Sequence, residues 1–272
     1  MIQRLNEIED NITRFFEKPT RAFFNEVGML TQNIATSAKY IAQGRVDVSK
    51  VLTQTAAIGF DSLPMTVLIC LISGGVLALQ SAKQFAMTGA DAYVGGLVAL
   101  ALIREMAPIF TCLTVGARNG TAIAAEIANM QITEQISALK VMHVSPIRYL
   151  VVPRLIACVI ALPLLTFVGE VVGVLGGMVV AKGVSNLHYA KYLESVWLNV
   201  SRYDIQVSLY KAAIFGLILA AISCTIGLNT KGGAKDVGLS TTRAVVFIAV
   251  AMIVTDFFLT WIFFGTTFER DF

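Results

Sequence analysis

Residues 62–82 read SLPMTVLICLISGGVLALQSA, a run without Asp, Glu, Lys or Arg. An α-helix needs about 20 predominantly apolar residues to cross the hydrocarbon core of a bilayer, so this stretch reads as a membrane span. Working outward from it, four further stretches have the same length and character. Ala92–Ala117 is broken by Arg104 and Glu105, Leu155–Ala181 contains Glu170, Ala212–Thr230 is free of charge, and Ala244–Phe268 contains Asp256. The expectation is an all-α integral membrane protein with about five transmembrane helices. Composition agrees, with 56% hydrophobic and 14% charged residues, where a soluble domain carries roughly a quarter charged.

Orientation follows from Lys and Arg, which are in excess on short cytoplasmic segments. The N-terminal segment holds Arg4, Arg14, Lys18, Arg21, Lys39, Arg45 and Lys50. The connector between spans two and three adds Arg118, Lys140, Arg148 and Arg154, and that between spans four and five adds Lys231, Lys235 and Arg243. The opposite side has Lys83, Lys182, Lys191, Arg202 and Arg270, with Arg104 and Lys211 in or at the edge of spans. The N-terminus is therefore expected in the cytoplasm and the C-terminus outside.

Two units are expected, residues 1–50 and 51–272. In the first, Ile2, Leu5, Ile8, Ile12, Phe15 and Phe16 recur at helical spacing among charges, as do Phe23, Phe24, Val27, Leu30, Ile34 and Ile41. Helices with one apolar and one basic face lie in the membrane interface; packing on a partner protein is the alternative. No charged start leads into a short apolar stretch with a cleavage site, so no removable signal peptide is expected. The net charge of +3 gives no reason to expect nucleic acid. Cys70, Cys112, Cys158 and Cys224 sit in apolar stretches without close pairing, and His143 and His188 lack an H-E-x-x-H context, so no metal site is expected.

Some residues in the spans need a reason to be there. An ionised group at mid-membrane is costly, and such groups face the bundle interior or water and mark function. Arg104, Glu105, Glu170 and Asp256 are those groups. A guanidinium beside Pro108 can offer several donors to a phosphate; the plainer alternative is that Arg104 and Glu105 neutralise each other while Glu170 and Asp256 are protonated or paired. Gly169, Gly173 and Gly177 form a side-chain-free stripe where another helix, of this chain or of a second copy, can come close. The long connector from Arg118 to Pro146 has helical composition. Thr133 is placed to cap a short helix starting at Glu134, with Ile136 and Leu139 on one face, suited to docking a soluble partner.

Three stretches carry a resemblance: IREMAPIFTCLTVGARNGTAIAAEIANMQITEQISALKVM at 103–142, SPIRYLVVPRLIA at 145–157, and GLNTKGGAKDVGLSTTRAVV at 227–246 before an aspartate-containing last span. In order, spacing and topology they resemble the MlaE (YrbE) family of ABC-transporter permeases, departing from it at His143, where a small residue is usual. The resemblance implies a homodimeric permease in the inner membrane, moving phospholipids or related lipids between that membrane and the outer envelope. It also implies a cytoplasmic ATPase that carries the ATP and Mg and docks on the helix formed by Thr133, Glu134, Gln135, Ile136, Leu139 and Met142, and an MCE-domain protein on the periplasmic side. Arg104, and with it Glu105, takes a lipid-headgroup role by the same resemblance.

The chain is not expected to be an enzyme or to bind a cofactor itself. No G-x-x-x-x-G-K-[ST] run occurs, and GGAK at Gly232 lacks both spacing and hydroxyl. An ion-coupled carrier using Glu170 and Asp256 is the competing reading; it would favour paired inverted repeats, which the sequence does not display.

Overall fold

The computed structural model describes residues 26–44, 46–86 and 93–265, and among these it contains helices and no strand. A first helix, α1, covers residues 26–42. It is followed by α2 (Val48–Ala86), α3 (Val94–Ala101), α4 (Ala107–Val115) and α5 (Thr121–Ile132). The short α6 (Gln135–Val141) precedes α7 (Val152–Ser185), α8 (Tyr189–Asn199), α9 (Arg202–Leu228) and α10 (Ala234–Thr260). Single π-helical turns join α3 to α4 (Leu102–Met106) and α4 to α5 (Gly116–Gly120), lead into α7 (Ile147–Val151) and follow α10 (Trp261–Gly265).

Among the described residues, five helical rods are long and apolar enough to cross a membrane: Val48–Phe85, Val94–Ile132, Ile147–Ser185, Arg202–Leu228 and Ala234–Gly265. All five expected spans are found, but they are longer than charge-free counting predicts. The fourth begins at Arg202 rather than Ala212, because Asp204 and Lys211 are held inside by partners and do not end the helix. The second continues past Arg118 to Ile132, so much of the expected connector is a helical extension of the span. At 1.5 Å per residue such a rod is far longer than the roughly 30 Å hydrocarbon core, and it projects beyond it at one end. That end carries α6, and the other carries α8.

Glycine decides the closest packing. A Cβ on Gly74 would run into the backbone carbonyl of Gly173, and one on Gly169 would press on Cys70 and approach Thr111. The stripe of Gly169, Gly173 and Gly177 therefore receives α2 and its neighbours in the same chain. Beyond this pair, α9 packs on α7, α5 and α10. The main apolar core, with Ile127, Ile136, Leu155, Leu162, Phe215 and Ile248, gathers α5, α6, α7, α9 and α10; a smaller cluster with Val94, Val98, Leu102, Leu187 and Tyr192 lies at the α8 end. The four cysteines are buried and free.

Two elements depart from expectation. Thr133 does not cap α6: it closes α5, its hydroxyl donating to the Asn129 carbonyl at 2.7 Å, and Glu134 adopts a left-handed φ of 59° to start α6 at Gln135. Ile136 is 2% exposed and Leu139 packs against the core, so the face expected to meet a partner points inward. Val141 and Met142, 78% and 64% exposed, are the outward apolar residues of this helix. His143 has a φ of 58°, the region that favours glycine.

The second departure is α8, a helix between spans three and four where none is expected from the sequence. Its Tyr192 and Ser195 are buried against α3, where the Gly96 amide donates to Ser195 Oγ at 3.0 Å, while Leu193, Trp197 and Leu198 face outward. At the other end, α1 is docked through Leu30 on the core and through Asn33, which donates to Thr225 of α9 at 3.0 Å. The part of the expected N-terminal helices before residue 26 lies outside the described residues, as do the expected ends of spans two and five at Ala92 and Phe268.

Candidate functional site

The site begins at the first turn of α9. Ser201 and Asp204 form a capping box: Asp204 Oδ2 accepts from the Ser201 amide at 2.9 Å, and Ser201 Oγ accepts from the Asp204 amide at 3.3 Å. This satisfies two amides that a helix start leaves orphaned. It also fixes the carboxylate so that its other oxygen, Oδ1, accepts from Arg104 Nε at 2.8 Å. Asp204 is buried, whereas the Arg104 side chain is 39% exposed, its guanidinium over the Phe264 ring at 4.5 Å. With Nε engaged sideways by Asp204, Arg104 lines a cavity with the rest of its guanidinium.

Arg104 and Glu105 lie in the π-helical turn Leu102–Met106. Such a turn inserts one residue into a helix and is common at functional positions. Here Arg104 reaches α9 and the turn after α10, and Glu105 reaches α9 and α10. Lys211, two turns beyond Asp204 and fully buried, lies 3.2 Å from both Glu105 carboxylate oxygens and 3.1 Å from Asp256 Oδ1. It also donates to the Arg104 carbonyl at 2.9 Å and to Thr260 Oγ1 at 2.6 Å, and Thr260 in turn donates to Glu105 at 3.0 Å. Arg104 and Glu105 thus do not neutralise each other: each pairs with a residue of α9. Asp256 is paired, as one alternative had it, with Lys211 as its partner. A buried ion pair repays its desolvation only with good geometry and further hydrogen bonds, which this network has.

Arg104, Glu105, Thr260 and Phe264 line a cavity of about 530 Å³, together with Tyr93, Leu97, Leu100, Ala101 and Asn199. One wall is apolar and the other offers a guanidinium, a carboxylate and a hydroxyl. Glu170 is elsewhere on the same helix stack, 3% exposed and accepting from the buried Ser208, which sits between Asp204 and Lys211 in sequence. A larger cavity, about 800 Å³, lies between α1, α9 and α10 toward the α6 end and has Lys231, Asp236 and Arg243 at its rim. It does not reach the charged network, and the chemistry favours the smaller one. No group of three or more metal-ligating side chains occurs among the described residues.

Sequence reading found Arg104, Glu105 and Asp256 but not the residues that organise them. Asp204 was legible in Ser201-x-x-Asp204, the pattern of a capping box. Lys211 was visible only as a charge beside a span, since ending spans at charges places it just outside.

Comparison with known proteins adds an independent line. The sequence pattern of the family described as Permease MlaE matches residues 51–262. A protein of Synechocystis named as a probable ABC transporter permease is 38% identical, over 94% of this chain and 95% of its own length. One of Rickettsia felis with the same description is 37% identical, over 93% of this chain and 98% of its own. The chloroplast protein trigalactosyldiacylglycerol 1 of Arabidopsis thaliana is 36% identical, over 82% of this chain and 64% of its own.

Proposed function

Since this chain belongs to the MlaE family and is an ABC-transporter permease with several membrane passes, we propose that it moves phospholipids or related lipids, binding the headgroup at Arg104. The observation that carries this reading is the pairing of Arg104 with a buried Asp204 at the mouth of a half-apolar cavity. A pre-oriented guanidinium with a free end suits a phosphate, and Leu97, Leu100 and Phe264 suit the adjoining acyl chains. The Arabidopsis relative bears the name of a lipid, in keeping with such a substrate. Glu105, held by Lys211 and Thr260, shapes the wall beside the headgroup.

The remaining assignments follow from surfaces. ATP is hydrolysed by a separate cytoplasmic subunit that docks on the outward residues of α6, Val141 and Met142, together with Thr133, Glu134 and Gln135. A second copy packs on α10, whose Val250, Ile253, Val254, Phe257 and Phe258 face outward and whose Thr260 borders the cavity. The α8 end faces the periplasm, where an MCE-domain protein exchanges lipid with the cavity; Trp197 and Leu198 stand exposed there beside Asn199 of its lining. The protein sits in the inner membrane with the Lys- and Arg-rich α6 end in the cytoplasm. An ion-coupled carrier has less support, since Asp256 is bound by Lys211 and Glu170 by Ser208.

The reading is tested by purifying the chain with its co-expressed partners and measuring bound phospholipid by mass spectrometry. Lipid in the wild-type complex that is lost on Arg104→Glu supports it; a wild-type complex free of lipid contradicts it.

A further inference from the structure

One buried cation lies outside the site. Arg154 belongs to the first turn of α7, and its side chain is 5% exposed. Its Nη2 lies 2.7 Å from Glu126 Oε1 on α5, its Nη1 donates to the Leu150 carbonyl at 3.1 Å, and its Nε is buried without a partner. Glu126 is 56% exposed. A buried guanidinium with a half-exposed partner adds little net stability, so stability alone does not account for the arrangement.

Its place does. Helix α5 leads into α6, and α6 leads through Ile147–Val151 into α7, so Glu126 and Arg154 join the two legs that support α6. Between the legs, Ile136 of α6 is set into a core made by Ile127 of α5 and Leu150, Val151 and Leu155 of the α7 side. The hairpin is closed twice, by an apolar plug and by an ion pair. One leg continues to the candidate site and the other to the buried Glu170 outside it. From Glu126, the second rod runs back to Glu105 over roughly 30 Å, and from Arg154, α7 runs forward to Glu170 over roughly 24 Å, at the helical rise of 1.5 Å per residue. Each rod has a place to bend: the second at the π-helical turn Gly116–Gly120, and α7, helical from Val152 to Ser185, at Pro163.

We propose that the Arg154–Glu126 ion pair is the brace that makes α5, α6 and α7 move as one body, so that a push on α6 reaches Arg104 and Glu105 along one rod and Glu170 along the other together. Both are positioning residues. The inference rests on α6 being the docking site of the ATPase. Without the brace, α6 can shift against one leg alone, and its displacement is not delivered to both rods at once. ATP would then be hydrolysed without moving lipid.

The test uses the complex purified with its co-expressed ATPase in vesicles of phosphatidylethanolamine and phosphatidylglycerol, measuring ATP hydrolysis and transfer of a fluorescent phospholipid in the same sample. Glu126→Gln removes the charge at a half-exposed position with no change in shape, and Glu126→Asp keeps the charge. The expected result is that Glu126→Gln assembles and hydrolyses ATP yet moves several-fold less lipid per ATP, with Glu126→Asp between it and wild type. A purely structural role lowers assembly or melting temperature and leaves the lipid-to-ATP ratio alone. An unchanged ratio in Glu126→Gln overturns the brace, as does loss of assembly in both variants, which makes the pair a fold element only. A wild-type chain that captures no ATPase, or a wild-type complex that moves no lipid, fails the permease reading beneath it instead.

Discussion

Asp204 has two tasks on its two oxygens: Oδ2 closes the capping box that starts α9, and Oδ1 holds Arg104 at 2.8 Å. The start of α9 and the aim of the Arg104 guanidinium are therefore one structure.

Asp204→Ala is expected to lower bound phospholipid as far as Arg104→Ala does, although Asp204 is buried away from the cavity. It also removes a cap, at a cost of about 1 kcal/mol, and Arg104→Ala lowers stability too, because it leaves the buried Asp204 carboxylate without its cation. Lipid mass spectrometry beside thermal unfolding of both variants checks the pair. Full lipid occupancy in Asp204→Ala would show that Arg104 needs no holder.

Lys211 is the one cation that Glu105 and Asp256 share. Replacing it by Met leaves carboxylates uncompensated in a buried site, a loss on the order of 3–5 kcal/mol. The melting temperature should drop clearly, and adding Asp256→Asn to Lys211→Met should recover part of the drop. A single variant as stable as wild type would mean that the network carries no such strain when opened.

The outward face of α6 is where the ATPase is expected to bind. Val141→Asp with Met142→Asp should abolish co-purification of the ATPase and leave the permease folded, because both residues are exposed. Ile136→Ala acts through the core and is expected to cost about 2–5 kcal/mol. Were the ATPase retained by the Val141/Met142 variant, docking would lie elsewhere on the α6 end.

These residues show what the sequence made legible. Spans, their order and the charges in them could be read from lipid thermodynamics alone, since hydrophobic length is a local property. Partners could not, because Arg104 meets Asp204 across about a hundred residues and the meeting depends on packing. Helix faces failed in the same way. Ile136 and Leu139 do share a face, as their spacing says, but spacing does not tell which face the core takes. The glycine stripe likewise announced a close approach, while only the fold names Gly74 and Cys70 as what approaches.

The topology admits a separate check by single-cysteine labelling of intact cells, with little background since the native cysteines are buried. A cysteine at exposed Lys140 should react only with reagent admitted to the cytoplasm, and one at exposed Lys191 with reagent kept outside. Thr230 is a poor reporter, being 5% exposed and bonded to Ser240 at 2.7 Å. The reverse pattern would invert the whole assignment of α6 and α8 ends.

The most direct measurement of the central claim is phospholipid occupancy of the purified complex, wild type against Arg104→Glu, by native mass spectrometry. The account predicts bound phospholipid in wild type and its loss in the variant, with assembly and the α9 start preserved. Equal occupancy and equal lipid transfer in the two proteins would contradict it and remove Arg104 from the headgroup site.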